Sequence, residues 1–299
     1  MPQINVSVAM MQMRVETDAL QKNLTHADQL LTEVCYTRQV DFAVFPETAD
    51  LGWATANAYA LAEAVPGGTA CEAWRAMAKK HGVYLVAGLT ERADDKIYNC
   101  AVFFSPDGEL LAKHRKINVL QDVEGMYEIG DQLHVVETRF GRVGFDICAD
   151  NFISSAVLMH AMARMGARMI LSPSAWAVTP GYDPVKTPYG AIWTQPYGAL
   201  SRLYGMPVIG VSNVGTMRSG AWAGHAGIGN SLAYDADGRE VARLPFGKEA
   251  ETVRVVTLTL RDPIAKGTDM AAALLARGYT GQAEQTQNAP AGHGDGSAG

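Results

Sequence analysis

Three side chains in this sequence stand where covalent chemistry could begin. Cys148 follows the run VGFDI and precedes a segment with helical spacing. A thiol at a helix N-terminus has its thiolate favoured by the dipole and by free backbone N–H groups, which can also hold an oxyanion. Glu47 directly follows the apolar run DFAVFP, and a carboxylate leaving a buried strand is suited to general-base work. Lys116 ends LLAKHRK, where one cation could stabilise an oxyanion or hold a thiolate. All three lie just beyond apolar runs, and in open α/β sheets reactive groups gather beyond the carboxyl ends of strands.

Each residue also has a plainer reading. Glu47 could be an exposed loop acid, and residues 113–116 (KHRK) a solvated basic cluster. Any one of the four cysteines could be a small buried hydrophobe. Only Cys148 has strand behind it and helix ahead; Cys71 lies in a helix first turn, Cys35 ends a helix and Cys100 begins a strand. No Cys pair has the C-x-x-C spacing of a zinc site. A Cys–His pair is the competing arrangement. His160 lies about three turns into the helix after Cys148 and cannot reach back, while His225 reads as part of a Gly-rich loop.

The elements that must position these groups follow from periodicity. Residues 4–9 read as a strand, and Leu20, Leu24, Ala27, Leu30, Leu31 and Val34 recur at helical spacing. Residues 41–46 and 83–89 read as buried strands. Between them, Thr69-x-x-Glu72 predicts a capping box opening a helix that carries Trp74, Met77 and Ala78 and stops at Gly82. Residues 101–104, the turn Ser105-Pro106-Asp107-Gly108 and residues 109–112 predict a hairpin. Residues 142–147 form a further strand, leading into a helix with Val157, Ala161, Met162 and Met165 on one face. Strands follow at 169–171 and 208–211, around a helix at 189–205 that Pro196 breaks or kinks. Residues 231–234 and 240–243 flank Asp237-Gly238 and repeat the hairpin logic; residues 252–260 form a long β-branched strand. The two hairpins, NCAVFFSPDGELLA from Asn99 and NSLAYDADGREVA from Asn230, share a shape that hints at internal pseudo-symmetry. The alternation of strands and helices predicts an α/β sheet with covered faces.

Composition narrows the function classes. The chain has 299 residues, of which 48% are hydrophobic and 19% charged, so it can bury a full core without staples. With 25 basic and 31 acidic side chains it carries a net charge of −6, a poor basis for binding nucleic acid or an anionic membrane. No apolar run is long enough to span a bilayer. The first residues lack a basic n-region and read as a strand. These features and the four unpaired cysteines predict a cytoplasmic protein. No Pro/Gly/Ser-rich linker precedes about residue 281, so residues 1–281 read as one domain. Residues 282–299 read as a flexible tail, or one draped on a neighbouring subunit.

Taken together, the segments FPE ending at Glu47, HRKI carrying Lys116 and GFDICAD carrying Cys148 resemble the Glu–Lys–Cys triad of the nitrilase superfamily of carbon–nitrogen hydrolases. Their order and separations, 69 and then 32 residues, agree with that pattern. YEIGD (127–131), LSPSAW (171–176), GVSNVG (210–215) and GNSLAYDADG (229–238) are similar to further family blocks, so the resemblance runs from residue 4 to about 262.

The resemblance implies a four-layer α-β-β-α sandwich with two mixed β-sheets, and a homodimer or larger oligomer. It implies hydrolysis of a non-peptide C–N bond in a small carboxamide or N-carbamoyl compound, with ammonia released through a thioester on Cys148 and no metal or organic cofactor. Nitrile hydrolysis by the same triad and a silent scaffold member are the alternatives. A second glutamate after the lysine maps to Glu124, with Glu128 its rival, although Ile129 stands where the family usually has proline. The backbone of Ala149 would help hold the oxyanion, and Trp53, Tyr127 and Trp176 would wall the pocket. Ala149-Asp150 after the nucleophile resembles amidases and carbamoyl-amide hydrolases. Asn151 and Phe152 stand where carboxylate-gripping members place arginines, and residues 153–155 (ISS) depart from the family pattern. An apolar, neutral or cationic amide fits this set better than a dicarboxylate.

Overall fold

The computed structural model describes residues 4–264 and 270–279. Its strands are β1 (Ile4–Gln12), β2 (Phe42–Val44), β3 (Tyr84–Ala93), β4 (Lys96–Phe104), β5 (Leu110–Arg115), β6 (His134–Thr138), β7 (Gly141–Phe145) and β8 (Ile170–Ser174). After these come β9 (Ala177–Val178), β10 (Val208–Ser212), β11 (Val214–Thr216), β12 (Ala226–Ile228), β13 (Leu232–Tyr234), β14 (Glu240–Arg243) and β15 (Thr252–Leu260). The helices are α1 (Leu20–Thr37), α2 (Ala58–Leu61), α3 (Thr69–His81), α4 (Val157–Arg164), α5 (Ala191–Tyr204) and α6 (Met270–Leu275).

The strand sequences dictate the layering. In β1, Val6, Val8 and Met10 enter one core while Ala9 and Met11 enter another. Side chains alternate along a strand, so a strand apolar on both faces must be covered on both. The outer core lies between the first sheet and helices α1 and α3, where Phe45 meets Trp74 at 4.7 Å between ring centroids. The inner core joins the two sheets, with Phe103 edge-on to Phe145 at 5.4 Å, and continues to α4 and α5. Helix, sheet, sheet and helix thus stack as the four expected layers.

The first sheet runs β15-β1-β2-β3-β4-β5 and the second β6-β7-β8-β10-β13-β14. In that order both sheets show one series of pairings: antiparallel, parallel, parallel, antiparallel, antiparallel. The hairpins β4–β5 and β13–β14 therefore occupy equivalent places, as their shared sequence shape suggested. A three-stranded sheet, β11-β12-β9, lies apart from both.

Several local expectations need correction. Thr69 does not open a capping box, because it is already the first helical residue and Gly68 is the N-cap; the Thr69 backbone and hydroxyl bond Glu63, and Glu72 bonds Arg75. Gly82 does end this helix, in the left-handed conformation that a residue without Cβ adopts freely. Helix α4 buries Met159, Met162 and Ala163, while Val157 and Met165 are exposed. Helix α5 runs through Pro196 without a break. Strand β4 starts at Lys96, earlier than the predicted hairpin, and pairs with β3 as well as β5. The tail at 282–299 lies outside the described residues.

Candidate active site

The three residues singled out by type come from both sheets. Glu47 follows β2, Lys116 follows β5 and Cys148 follows β7, with exposures of 0%, 2% and 6%. The turn carrying Glu47 is held by close backbone approach. A Cβ on Gly88 would lie 2.5 Å from the Glu47 Cα and 2.5 Å from the Thr48 nitrogen. With glycine there, Gly88 N–H donates to the Pro46 carbonyl at 3.0 Å. Glu47 N–H donates to Ser174 of the other sheet at 3.2 Å, joining the halves at the site.

Strand alternation resolves the basic cluster. Lys113 and Arg115 both bond the buried carboxylate of Glu91, and the Arg115 guanidinium lies 3.7 Å from the Tyr98 ring centroid. Burial opposes the Glu91 charge, but Arg115 and Lys113 hold its carboxyl below the usual value. His114 and Lys116 turn inward and are buried. Lys116 Nζ donates to Glu47 Oε1 at 2.6 Å, and Asn99 Nδ2 donates to the same oxygen at 2.5 Å. Burial works against the ammonium, yet Glu47 and then Cys148 raise its pKa above the ordinary lysine value, so it stays charged.

Cys148 has a left-handed backbone, with φ of 48°. For an L-residue that conformation costs roughly 1–2 kcal/mol and is held by its surroundings. Its N–H donates to Ser172 Oγ at 3.1 Å. The helix expected to begin here is a correction: residues 148–151 form only a 3-10 turn, and α4 starts at Val157. The thiol is accordingly not acidified. Burial first, then Glu47, push its pKa above the ordinary value, against Lys116 and the Ala175 N–H. The Cys148 thiol and the Glu47 carboxyl group lie side by side. Glu47 Oε2 is buried and has no hydrogen-bond partner.

Asp150 ties two of these segments together. Its Oδ1 accepts from the N–H groups of Ile117 and Asn118 at 3.1 and 2.7 Å, directly after Lys116. Its Oδ2 accepts from the Ile147 N–H at 3.1 Å and meets His114 Nε2 at 2.9 Å. Asn118 Nδ2 donates to the Ala149 carbonyl at 3.1 Å, and Ala149 is fully buried. Beyond the lysine, the loop returns so closely that a Cβ on Gly130 would stand 1.9 Å from the Arg115 carbonyl oxygen, and Gly130 N–H donates to the Lys116 carbonyl at 2.9 Å.

Trp53 and Tyr127 share an apolar cluster with Ala175 and Met217, and the Tyr127 hydroxyl accepts from the Ala54 N–H at 3.1 Å. Ala175 is the residue whose N–H faces the sulfur, so this cluster borders the site. Trp176 is 1% exposed and stacks on Trp193 at 4.9 Å, inside the core that also holds Cys148. Glu124 is a correction. It is exposed, as is Glu128, which pairs with Lys96 instead. The loop carrying both runs outward between Lys116 and Gly130. Asn99 is the further side chain that touches the acid, and residue typing missed it. Its signal was a lone amide inside the apolar strand KIYNCAVFF. His160 bonds Tyr204 at 2.6 Å and His225 stacks on Trp222. Among the described residues, no group of three His, Cys, Asp or Glu side chains could hold a metal ion, and no helix is long and apolar enough to cross a membrane.

Comparison with known proteins places this geometry. The family model for carbon–nitrogen hydrolases matches residues 7–264. The omega-amidase NIT2 of Xenopus tropicalis is 32% identical over 170 residues, which are 54% of this chain and 60% of that protein. The matched part thus spans less than two thirds of this relative's length. A nitrilase of Pyrococcus abyssi is 27% identical over 220 residues, covering 72% of this chain and 82% of that protein. The fold matches the crystal structure of Saccharomyces cerevisiae Nit3, a member of branch 10 of the nitrilase superfamily, with a TM-score of 0.73 and 24% identity, covering 94% of this chain and 97% of that one.

Proposed function

Because the chain belongs to the carbon–nitrogen hydrolase family, we propose that it hydrolyses a non-peptide C–N bond in a small carboxamide or N-carbamoyl compound, releasing ammonia through a thioester on Cys148. One observation carries this reading: the buried Lys116–Glu47 contact of 2.6 Å, set against a protonated thiol in a strained turn.

The steps follow from the charges. Glu47 takes the Cys148 proton as Sγ bonds to the amide carbon. The carbonyl electrons move onto oxygen, where Lys116 and the Ala149 N–H receive the negative charge. One such donor contributes about 2.7–4 kcal/mol in the transition state. Glu47 returns the proton to the leaving nitrogen as the C–N bond breaks. Water then attacks the thioester, giving its proton to Glu47, and the sulfur leaves and is reprotonated. The protein supplies the nucleophile, the base and the charge stabilisation, so these steps call on no metal or organic cofactor.

The substrate side favours amides without a carboxylate tail. Asn151 is fully buried and its amide is committed to Asp146 and Ser172, while Phe152 packs on Trp193 at 5.0 Å. Neither offers a cation to a substrate acid. The experiment is ammonia release from a panel of apolar, cationic and dicarboxylic amides, N-carbamoyl compounds and nitriles. Turnover of neutral or cationic amides supports the reading. Exclusive turnover of acidic amides, or of nitriles alone, overturns it.

The protein on this reading is a cytoplasmic homodimer or larger oligomer. The exposed Val157 on α4 and Met165 at its C-cap support a partner surface there, and the free cysteines support a reducing compartment. Light scattering at micromolar concentration tests the first, and a monomer would refute it.

A further inference from the structure

Behind the nucleophile lies a second set of buried polar groups that the steps above do not use. Asp146, Asn151 and Ser172 are each fully buried. Asn151 Nδ2 donates to Asp146 Oδ1 at 2.6 Å and to Ser172 Oγ at 2.8 Å. Ser172 Oγ also accepts the Cys148 N–H at 3.1 Å. A serine oxygen has two lone pairs and one hydrogen. Both lone pairs are taken, so the hydroxyl hydrogen must turn to a neighbouring acceptor. Asp146 Oδ2 and the Tyr197 hydroxyl are buried groups of its surroundings that have no hydrogen-bond partner. Tyr197 is packed over Gly210, the residue that pairs with Ser172 across β10 and β8; a Cβ on Gly210 would lie 2.5 Å from that hydroxyl.

We propose that Asp146, Asn151 and Ser172 form a positioning relay that fixes the left-handed backbone of Cys148 and thereby aims its sulfur between Glu47 and Lys116. Asp146 orients the Asn151 amide, the amide orients the Ser172 oxygen, and Ser172 holds the Cys148 N–H. None of the three touches substrate, so they act through the nucleophile alone. The proposal rests on the amide-hydrolase reading for its kinetic consequences, but the hydrogen bonds stand without it.

The relay is sensitive to the charge on Asp146. Burial and then Asp150 push its carboxyl up to about 7, against Ser172, His114 and Asn151. Its titratable and charged surroundings are Asp150 and His114, together with Tyr197 from α5. Protonated Asp146 would present a competing O–H to a serine oxygen that is already full.

The test compares the full-length protein with Ser172→Ala, Asp146→Asn and the control Ser201→Ala, a buried serine of α5 whose hydroxyl has no partner. A nucleophile misplaced by about 1 Å costs about 10²-fold in rate. Ser172→Ala is expected to lose about that much kcat with KM held within about threefold, and Ser201→Ala to match wild type. The relay predicts that wild-type kcat falls below about pH 7 and that Asp146→Asn removes this fall. Unchanged kcat in Ser172→Ala overturns the relay. If that variant does not fold, Asp146→Asn decides: a wild-type rate and pH profile overturns the relay, and an altered profile supports it. Iodoacetamide labelling of Cys148 separates this from failure of the amidase reading, since it needs no amide turnover. Should the wild type release no ammonia, a labelling rate changed about tenfold or more in Ser172→Ala still supports the relay, and an identical rate overturns it.

Discussion

The two sheets repeat one series of strand pairings, yet they carry different chemistry. In the first sheet β2 and β5 lead to Glu47 and Lys116; in the second, β7 leads to Cys148. The sequence segments shared by the equivalent hairpins begin with Asn99, inside β4, and Asn230, just before β13. Asn99 donates to the Glu47 carboxylate, whereas Asn230 sits at φ of 59° and accepts from Arg243 at 3.4 Å. Equal scaffolds have thus divided the work. One supplies the acid and the cation; the other supplies the sulfur and the buried polar bed beneath it. A duplicated framework fixes where strand ends fall, and only the side chain at each end decides what happens there.

That division can be broken deliberately. Cys148→Ala should remove turnover, by about 10⁴-fold or more, with circular dichroism unchanged because the side chain merely shrinks. Cys148→Ser should be nearly as inactive, since an alkoxide forms far less readily than a thiolate; full ammonia release by either would defeat the assignment. Glu47→Gln strikes the other sheet. It should lower kcat by about 10²–10⁴-fold and, by leaving the buried Lys116 ammonium without its counter-ion, cost about 3–5 kcal/mol in denaturant unfolding. Unfolding at the wild-type midpoint would show that the pair is not buried in this way.

The matched asparagines sharpen the comparison. Asn99→Ala should lower kcat about tenfold by freeing the acid from one of its two donors. Asn230→Ala should leave kcat alone and destabilise by about 1 kcal/mol, the cost of alanine in a left-handed position. Equal kinetic effects would mean that the halves are not divided as described. The smallest effect belongs to His160. Burial and then Arg164 hold it down to about 4, below its ordinary 6.5. Because protonation favours the unfolded chain, the stability linked to this group is complete above about pH 6.5 and is lost as pH falls toward 4. Solvent at this partly exposed site reduces the effect. His160→Gln should therefore show a slightly smaller drop in Tm between pH 7 and pH 4.5 than the wild type, and an equal drop would refute the linkage.

Much of the strand framework was legible because apolar runs must be buried. β2 and the pairing partners of both hairpins follow from DFAVFP and from two Asp-Gly turns. That Glu47, Lys116 and Cys148 fall at strand ends was legible because they stand after those runs. What escaped the sequence were contacts made by residues whose types are ordinary. Asp150 read as a marker of family branch, yet it gathers two backbone N–H groups after the lysine, one before the nucleophile and the His114 ring. Glu124 had the right type at an approximate spacing, but loop length sets where such a side chain ends, and the loop carries it into solvent. The helix expected at Cys148 failed for a related reason. Periodicity locates apolar faces, and residues 148–156 offer none before α4 begins.

One pairing has a consequence for how the catalyst comes into being. β15 lies against β1 over nine consecutive residue pairs, from Thr252 with Gln12 to Leu260 with Ile4. The earliest described strand therefore waits at an open edge while more than two hundred residues are synthesised. Contacts between such distant segments form slowly, so the sheet that presents the acid and the cation is completed late. A growing polypeptide would carry its sulfur well before it could use it, and hydrolysis would start only when the final ribbon seals the seam.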